Sequence, residues 1–324
     1  MTANELLDHL DTSALWVPAA GTAALGLVAG TVGAFAVLRR QSLQGDAVAH
    51  AALPGVAAAF LLGGRAPLAL VFGGAVAGWL AMLIVAQITR RSRVPFDSAL
   101  AGVLAVFFGL GLVLFTYIQR NVRGAALTPL ERYLFGQAAL VGVSDLWLIG
   151  GFGLGALVLL ALFWKQFKVV SFDPAFAVGL GVPVRGVELL LTTLTVVAVV
   201  IGLKAVGVVL MTALLIAPCV AARQWADRLG RVVVLAGLFG ALAGVGGTVA
   251  SHLLSYQFPK AGSVPTGPTI VLCATALVVF SLVLGPARGG VWRRLRKPAP
   301  PSAPDHSPAA AQPPTGGPFP TIGL

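Results

Sequence analysis

The chain has 324 residues, of which 57% are hydrophobic and only 10% charged, with a mean hydropathy of +0.92. A water-soluble domain is roughly 45–50% apolar and about a quarter charged, so there is too little polar surface here to clothe a soluble body. The formal charge of +11 does not mark a nucleic-acid partner. The Lys and Arg residues sit at the ends of long apolar runs, where they set topology and meet anionic headgroups of the lipid bilayer.

In chain order, residues 1–13 carry Glu5, Asp8 and Asp11 with no basic stretch, which does not read as a cleaved signal peptide. An uncharged run from Ala14 to Leu38 is long enough to cross a bilayer as one helix and is closed by Arg39 and Arg40. A second segment runs from about Ala47 to Leu62, a third Leu68–Ile88 up to Arg90, Arg91 and Arg93, and a fourth Ser98–Ile118. A polar connection holding Arg120, Arg123, Glu131 and Arg132 leads to a fifth, Leu146–Trp164. Lys165–Arg185 reads as a soluble loop. Val187–Ala222 is too long for one span and reads as two short segments broken near Gly202-Leu203-Lys204. Val232–Leu254 and Thr269–Leu284 complete an all-α, polytopic helical membrane protein of about eight or nine transmembrane helices. The membrane domain is expected over 14–286. The basic, then Pro-rich tail, 287–324, cannot form a packed core and is expected to be disordered.

The positive-inside bias orients the bundle. With the N-terminus outside, Arg39, Arg40, Arg90, Arg91, Arg93, Lys165, Lys168, Arg185, Arg223, Arg228, Arg231 and the cluster Arg288–Lys297 are cytoplasmic. Only Arg65, Arg120, Arg123, Arg132, Lys204 and Lys260 are then external. Glycines such as Gly26, Gly30, Gly33, Gly240 and Gly244 let helices approach closely where no hydrophobic effect drives association.

Ionisable side chains at membrane depth are few, so each is informative. Asp46 and His50 are four residues apart and share one helix face. A carboxylate and an imidazole suit Zn²⁺, Mn²⁺ or Fe²⁺, though two ligands are too few for a tight site. A two-fold dimer would supply four. A plainer reading has Asp46 capping the second helix and His50 hydrogen-bonded within the bundle; spacing alone does not choose. Cys219 and Cys273 read as buried free thiols, and His252 as an interfacial histidine. His9 and His306 fall in the termini. Glu188 reads as a helix-start carboxylate near Arg185, and Lys204 as a side chain that snorkels at a break near the outer surface. In the loop, Ser171-Phe172-Asp173-Pro174 reads as a helix start with Asp173 as cap and Pro174 at the first position; Gly179–Pro183 ends it. Such a short helix serves either as a connector or as a knob for a partner. No phosphate-cradling GxxxxGK[ST] occurs, so any ATP motor lies on another chain.

Several stretches together resemble the metal-specific ABC importer permeases, the zinc/manganese/iron group called the ABC-3 family. They are Ser42–Gly55 (SLQGDAVAHAALPG), Tyr133–Gly136 with Ser144-Asp145-Leu146, Phe172–Gly181 (FDPAFAVGLG), Lys204–Ala222 and Val264–Leu272. The likeness runs from about Leu15 to Leu284. It implies a transport subunit, not an enzyme, in a bacterial plasma (inner) membrane. The cargo would be a divalent metal (Zn²⁺, Mn²⁺ or Fe²⁺), with no permanently bound cofactor. It implies a second permease copy as homodimer or paralogous heterodimer, two cytoplasmic ATP-binding subunits, and an extracytoplasmic metal-binding protein. The family's early Asp and His fall on Asp46 and His50, which are taken to line the ion path. Its coupling segment falls on Ser171, Phe172, Asp173, Pro174, Phe176, Leu180 and Gly181. Cys219 and Val264 depart from the family pattern, which has Ala and Asp in many members. Two rivals stand beside this reading: a permease for a chelate such as haem, cobalamin or a siderophore, and an ion-gradient-driven carrier, which usually shows internal repeats.

Overall fold

The computed structural model describes residues 13–63, 66–121, 141–257 and 264–286. The expectations for His9, His306, Arg65, Arg123, Arg132, Lys260, the Tyr133–Gly136 stretch and the Pro-rich tail lie outside the described residues. The chain forms α1 (Ser13–Leu38), α2 (Gln44–Leu61), α3 (Pro67–Arg91), α4 (Phe96–Asn121), α5 (Val143–Leu162), α6 (Trp164–Phe172), α7 (Pro174–Gly179), α8 (Val184–Val206), α9 (Val208–Ala222), α10 (Leu229–Gln257) and α11 (Thr266–Leu284). Among the described residues, seven helices are long and apolar enough to cross a membrane. The remaining two expected segments appear as α2 and the 15-residue α9.

Close backbone approach organises the bundle. A Cβ at Gly26 would collide with the carbonyl of Gly240, one at Gly30 with that of Ala236, and one at Gly244 with that of Thr22. These contacts fasten α1 along α10. The Thr22 and Thr248 hydroxyls meet at 2.9 Å in the same seam. A second small-residue seam pairs α2 with α3, with Gly55 against Gly73. Gly111 of α4 lies on Leu53 and Pro54 of α2. Without such notches, helices in lipid have little to hold them together.

Two expectations need correction. The break in 187–222 is at Gly207, not at Gly202–Lys204, and it leaves α8 as a full-length helix, so Lys204 lies within α8. Gly207 adopts φ 87°, ψ 170°, a region essentially closed to residues with a Cβ. Gly202 stays helical and takes the Met211 side chain of α9 into its notch. The turn is buried within the bundle, as non-helical backbone at membrane depth must be, and its amide still bonds Leu203 O at 2.9 Å. The stretch 165–185 holds the expected short helix and one more that the sequence reading does not place. It folds as α6 and α7, because Phe167 and Val170 bury one face of α6 while Lys165 and Lys168 stay on the other.

Candidate functional site

The turn before α2 decides where Asp46 sits. Arg40 takes a left-handed conformation, φ 58°. Gln41 N then bonds Ala36 O at 2.8 Å and Arg40 N bonds Val37 O at 3.1 Å, the two bonds of a Schellman turn closing α1. The chain therefore re-enters a helix at once, with Leu43 at the cap and Gln44 as the first helical residue. Asp46 thus does not cap α2; it is the third residue inside it, and no side-chain cap bond forms. Its carboxylate lies in the first turn, where the helix dipole favours negative charge.

One turn on, His50 Nε2 stands 3.4 Å from Asp46 Oδ1. The histidine is not bonded to the bundle. Its Nδ1 is buried without a hydrogen-bond partner, and its ring meets Phe108 of α4 edge-on at 4.8 Å. The pair lies deep: Val48, between the two residues, packs against Gly78, near the middle of α3. Yet the side chains are 38% (Asp46) and 20% (His50) exposed. Most of the first three turns of α2 is otherwise buried against its own chain, so there Asp46 and His50 stand out as part-exposed; Gly55, Ala58, Ala59 and Leu61 open toward its far end. No group of three or more His, Cys, Asp or Glu gathers anywhere among the described residues. One chain thus offers two candidate ligands.

The second site is α6–α7. Asp173 Oδ1 accepts the Phe176 amide at 2.9 Å with Pro174 at the first helical position, as the sequence predicts. Gly181, at φ 75°, closes α7: its amide bonds Val178 O, and the Val182 amide bonds Ala177 O, both at 3.0 Å. Ala177 is fully buried, whereas Phe172, Phe176 and Leu180 are exposed. Ser171, at the end of α6, is half-buried. The α6–α7 corner, anchored through Ala177, presents two aromatic rings and a leucine outward.

Of the other singled-out residues, Glu188 and Cys273 differ from their sequence reading, while Cys219 and His252 agree with it. Glu188 lies beyond the first turn of α8, not at its start, and accepts from Arg39 at 2.7 Å, tying the end of α1 to α8. Cys219 is buried, with its thiol 3.9 Å from Ala34 O, but Cys273 is only partly buried. His252 is exposed, in keeping with an interfacial position. Arg39, Arg90 and Arg185 come together at one end of the bundle, beside the start of α4, whereas Arg120 lies in the last turn of that helix.

A model of the ABC 3 transport family matches residues 13–285. The manganese transport system membrane protein MntC of Bacillus subtilis (strain 168) is 44% identical over 291 residues, 90% of this chain and 64% of that protein, so the chain spans less than two thirds of that relative's length. The zinc transport system membrane protein TroC of Treponema pallidum (strain Nichols) is 44% identical over 280 residues, 85% of this chain and 91% of that protein. Among solved structures, a chain of "PsaBC from Streptococcus pneumoniae in complex with Fab" superposes with a TM-score of 0.76 at 33% identity, covering 91% of this chain and 100% of that one.

Proposed function

Since this chain belongs to the ABC 3 transport family, we propose that it is the permease subunit of an ATP-driven importer for a divalent transition metal, Zn²⁺, Mn²⁺ or Fe²⁺. The observation that carries the reading is the Asp46–His50 pair. A tetrahedral ion with bonds of about 2.0–2.1 Å to nitrogen and oxygen spans ligand atoms about 3.3–3.4 Å apart, and Asp46 Oδ1 and His50 Nε2 stand 3.4 Å apart. The two side chains can therefore clasp one ion with little movement. The relatives named for manganese and zinc support the choice of cargo.

Two ligands hold an ion weakly, which suits passage: a site that binds too tightly does not release. A carboxylate at this depth does not face lipid. We assign the open face of α2 to a second permease copy, which would bring four ligands to one path. The basic end of the bundle is then cytoplasmic and the N-terminus extracytoplasmic, as the positive-inside bias requires. At that end the α6–α7 corner offers Phe172, Phe176 and Leu180 to a separate ATP-hydrolysing subunit, and the opposite end receives ions from an external binding protein. Family membership sets aside the gradient-driven carrier.

The test is uptake of Zn²⁺, Mn²⁺ and Fe²⁺ into vesicles holding the complete transporter. Asp46→Asn and His50→Gln are each expected to reduce uptake at least tenfold while the complex still assembles. Normal uptake in both variants would remove the pair from the path.

A further inference from the structure

A cavity of about 410 Å³ opens at the basic end of the bundle, between the α1–α2 turn, the end of α3 and the starts of α4 and α8. Three guanidiniums line it, from Arg39, Arg90 and Arg185, against one carboxylate, Glu188. That carboxylate is already engaged by Arg39 at 2.7 Å. Two positive charges therefore remain without an acidic partner in the lining. Arg39 is deeply placed, its side chain only 11% exposed. Loss of water outweighs the attraction of Glu188, and the guanidinium pKa lies below its ordinary value. The cavity is short of negative charge. Gln41, Gln44 and Thr89 add hydrogen-bonding groups beside the arginines. The wall on the bundle side is apolar, with Leu83, Ala86 and Leu189.

We propose that this cavity binds a phosphate-bearing anion, and that its occupant is the headgroup of an acidic phospholipid whose first acyl carbons lie along the apolar wall. A guanidinium cluster matches phosphate oxygens in bidentate fashion. Its position at the end of apolar helices is where headgroup phosphates lie, and basic pockets between spanning helices are known to take such groups. Neither Asp46 nor His50 nor any residue of α7 lines the cavity. The inference rests only on the chain spanning a membrane, not on what it carries.

The test uses the full-length chain in nanodiscs of phosphatidylcholine, with cardiolipin or phosphatidylglycerol added at a few per cent, and reads lipid retention and thermal midpoint. Acidic lipid is expected to be retained and to raise the midpoint. Arg90→Gln and Arg185→Gln, both exposed and outside the Arg39–Glu188 pair, are each expected to weaken acidic-lipid binding about fivefold. Arg93→Gln, an equally exposed basic residue at the same end but not in the cavity, is expected to leave it unchanged. A parallel arm supplies inorganic phosphate in phosphatidylcholine discs; stabilisation there equal to that by cardiolipin would assign the site to free phosphate and overturn the lipid occupant. An equal loss in Arg93→Gln would reduce the effect to general surface charge. No difference between acidic and neutral discs, or stabilisation appearing only when ATP-binding subunits are added, would also overturn the proposal.

Discussion

His50 pairs a part-exposed nitrogen with a buried liability. Its Nε2 faces Asp46, while its Nδ1 is buried with no partner beside Phe108. A buried polar atom without a hydrogen bond costs about 1–3 kcal/mol. His50→Leu is therefore expected to keep the fold at least as stable, with thermal unfolding in detergent unchanged or shifted upward, while metal uptake is lost. A large fall in stability would mean that the imidazole is structural. That Asp46 and His50 share a face was legible in their spacing. That Asp46 sits inside the helix rather than at its cap was not, because the start of α2 is set by Arg40 in a left-handed turn. The sequence signals that position with no Gly or Asn, the residues that usually occupy it. Arg40→Gly relieves that conformation and is expected to raise stability by up to about 1 kcal/mol, the αL cost of an L-residue less the extra chain entropy of glycine.

Between elements, the informative features are the turns and the ion pair that link helices. The sequence reading puts the break in 187–222 near Gly202–Lys204, and composition alone gives no reason to prefer Gly207. Only packing does: Gly202 is a notch for Met211, while Gly207 carries the positive φ. Gly207→Ala is expected to destabilise by about 1–3 kcal/mol through backbone strain. Gly202→Ala would instead push on the flexible Met211 side chain, so thermal unfolding of the two variants separates strain from crowding. The α7 knob was readable because its cap, proline and closing glycine follow backbone rules that act locally. The Arg39–Glu188 pair was not, since it joins residues 149 positions apart. Glu188→Gln keeps the shape but leaves the buried guanidinium without its counter-charge. A loss of about 1–2 kcal/mol is expected, less than for a fully buried pair because Glu188 is itself 39% exposed. Unfolding monitored by tryptophan fluorescence would measure it.

At the scale of the whole molecule, burial is uneven. The α1 span is 72% buried, whereas the α4, α5 and α11 spans are each 22% buried within the chain. The bundle is therefore a core wrapped around the α1–α10 seam with helices to spare at its rim, and α2 departs from both classes. It falls short of the apolarity expected of a membrane span, yet it lies at the depth of mid-α3. A helix rich in alanine, with an acid and a histidine on its open face, is poorly solvated by lipid and well suited to face protein or water. The length of the apolar runs made the helices legible, but not which face of α2 is left open, because that depends on which helices cover the other faces. If the open face meets its counterpart on a second copy, the ligand count doubles and one ion serves two chains. Metal bound at equilibrium to the purified permease pair is then expected at one ion per two chains. In the homodimeric case, His50→Gln would leave two carboxylates and no imidazole. That should weaken Zn²⁺, which favours nitrogen, more than Mn²⁺, which favours oxygen ligands. A stoichiometry of one ion per chain, with affinity unchanged on dilution to monomer, would show that each chain completes its site alone.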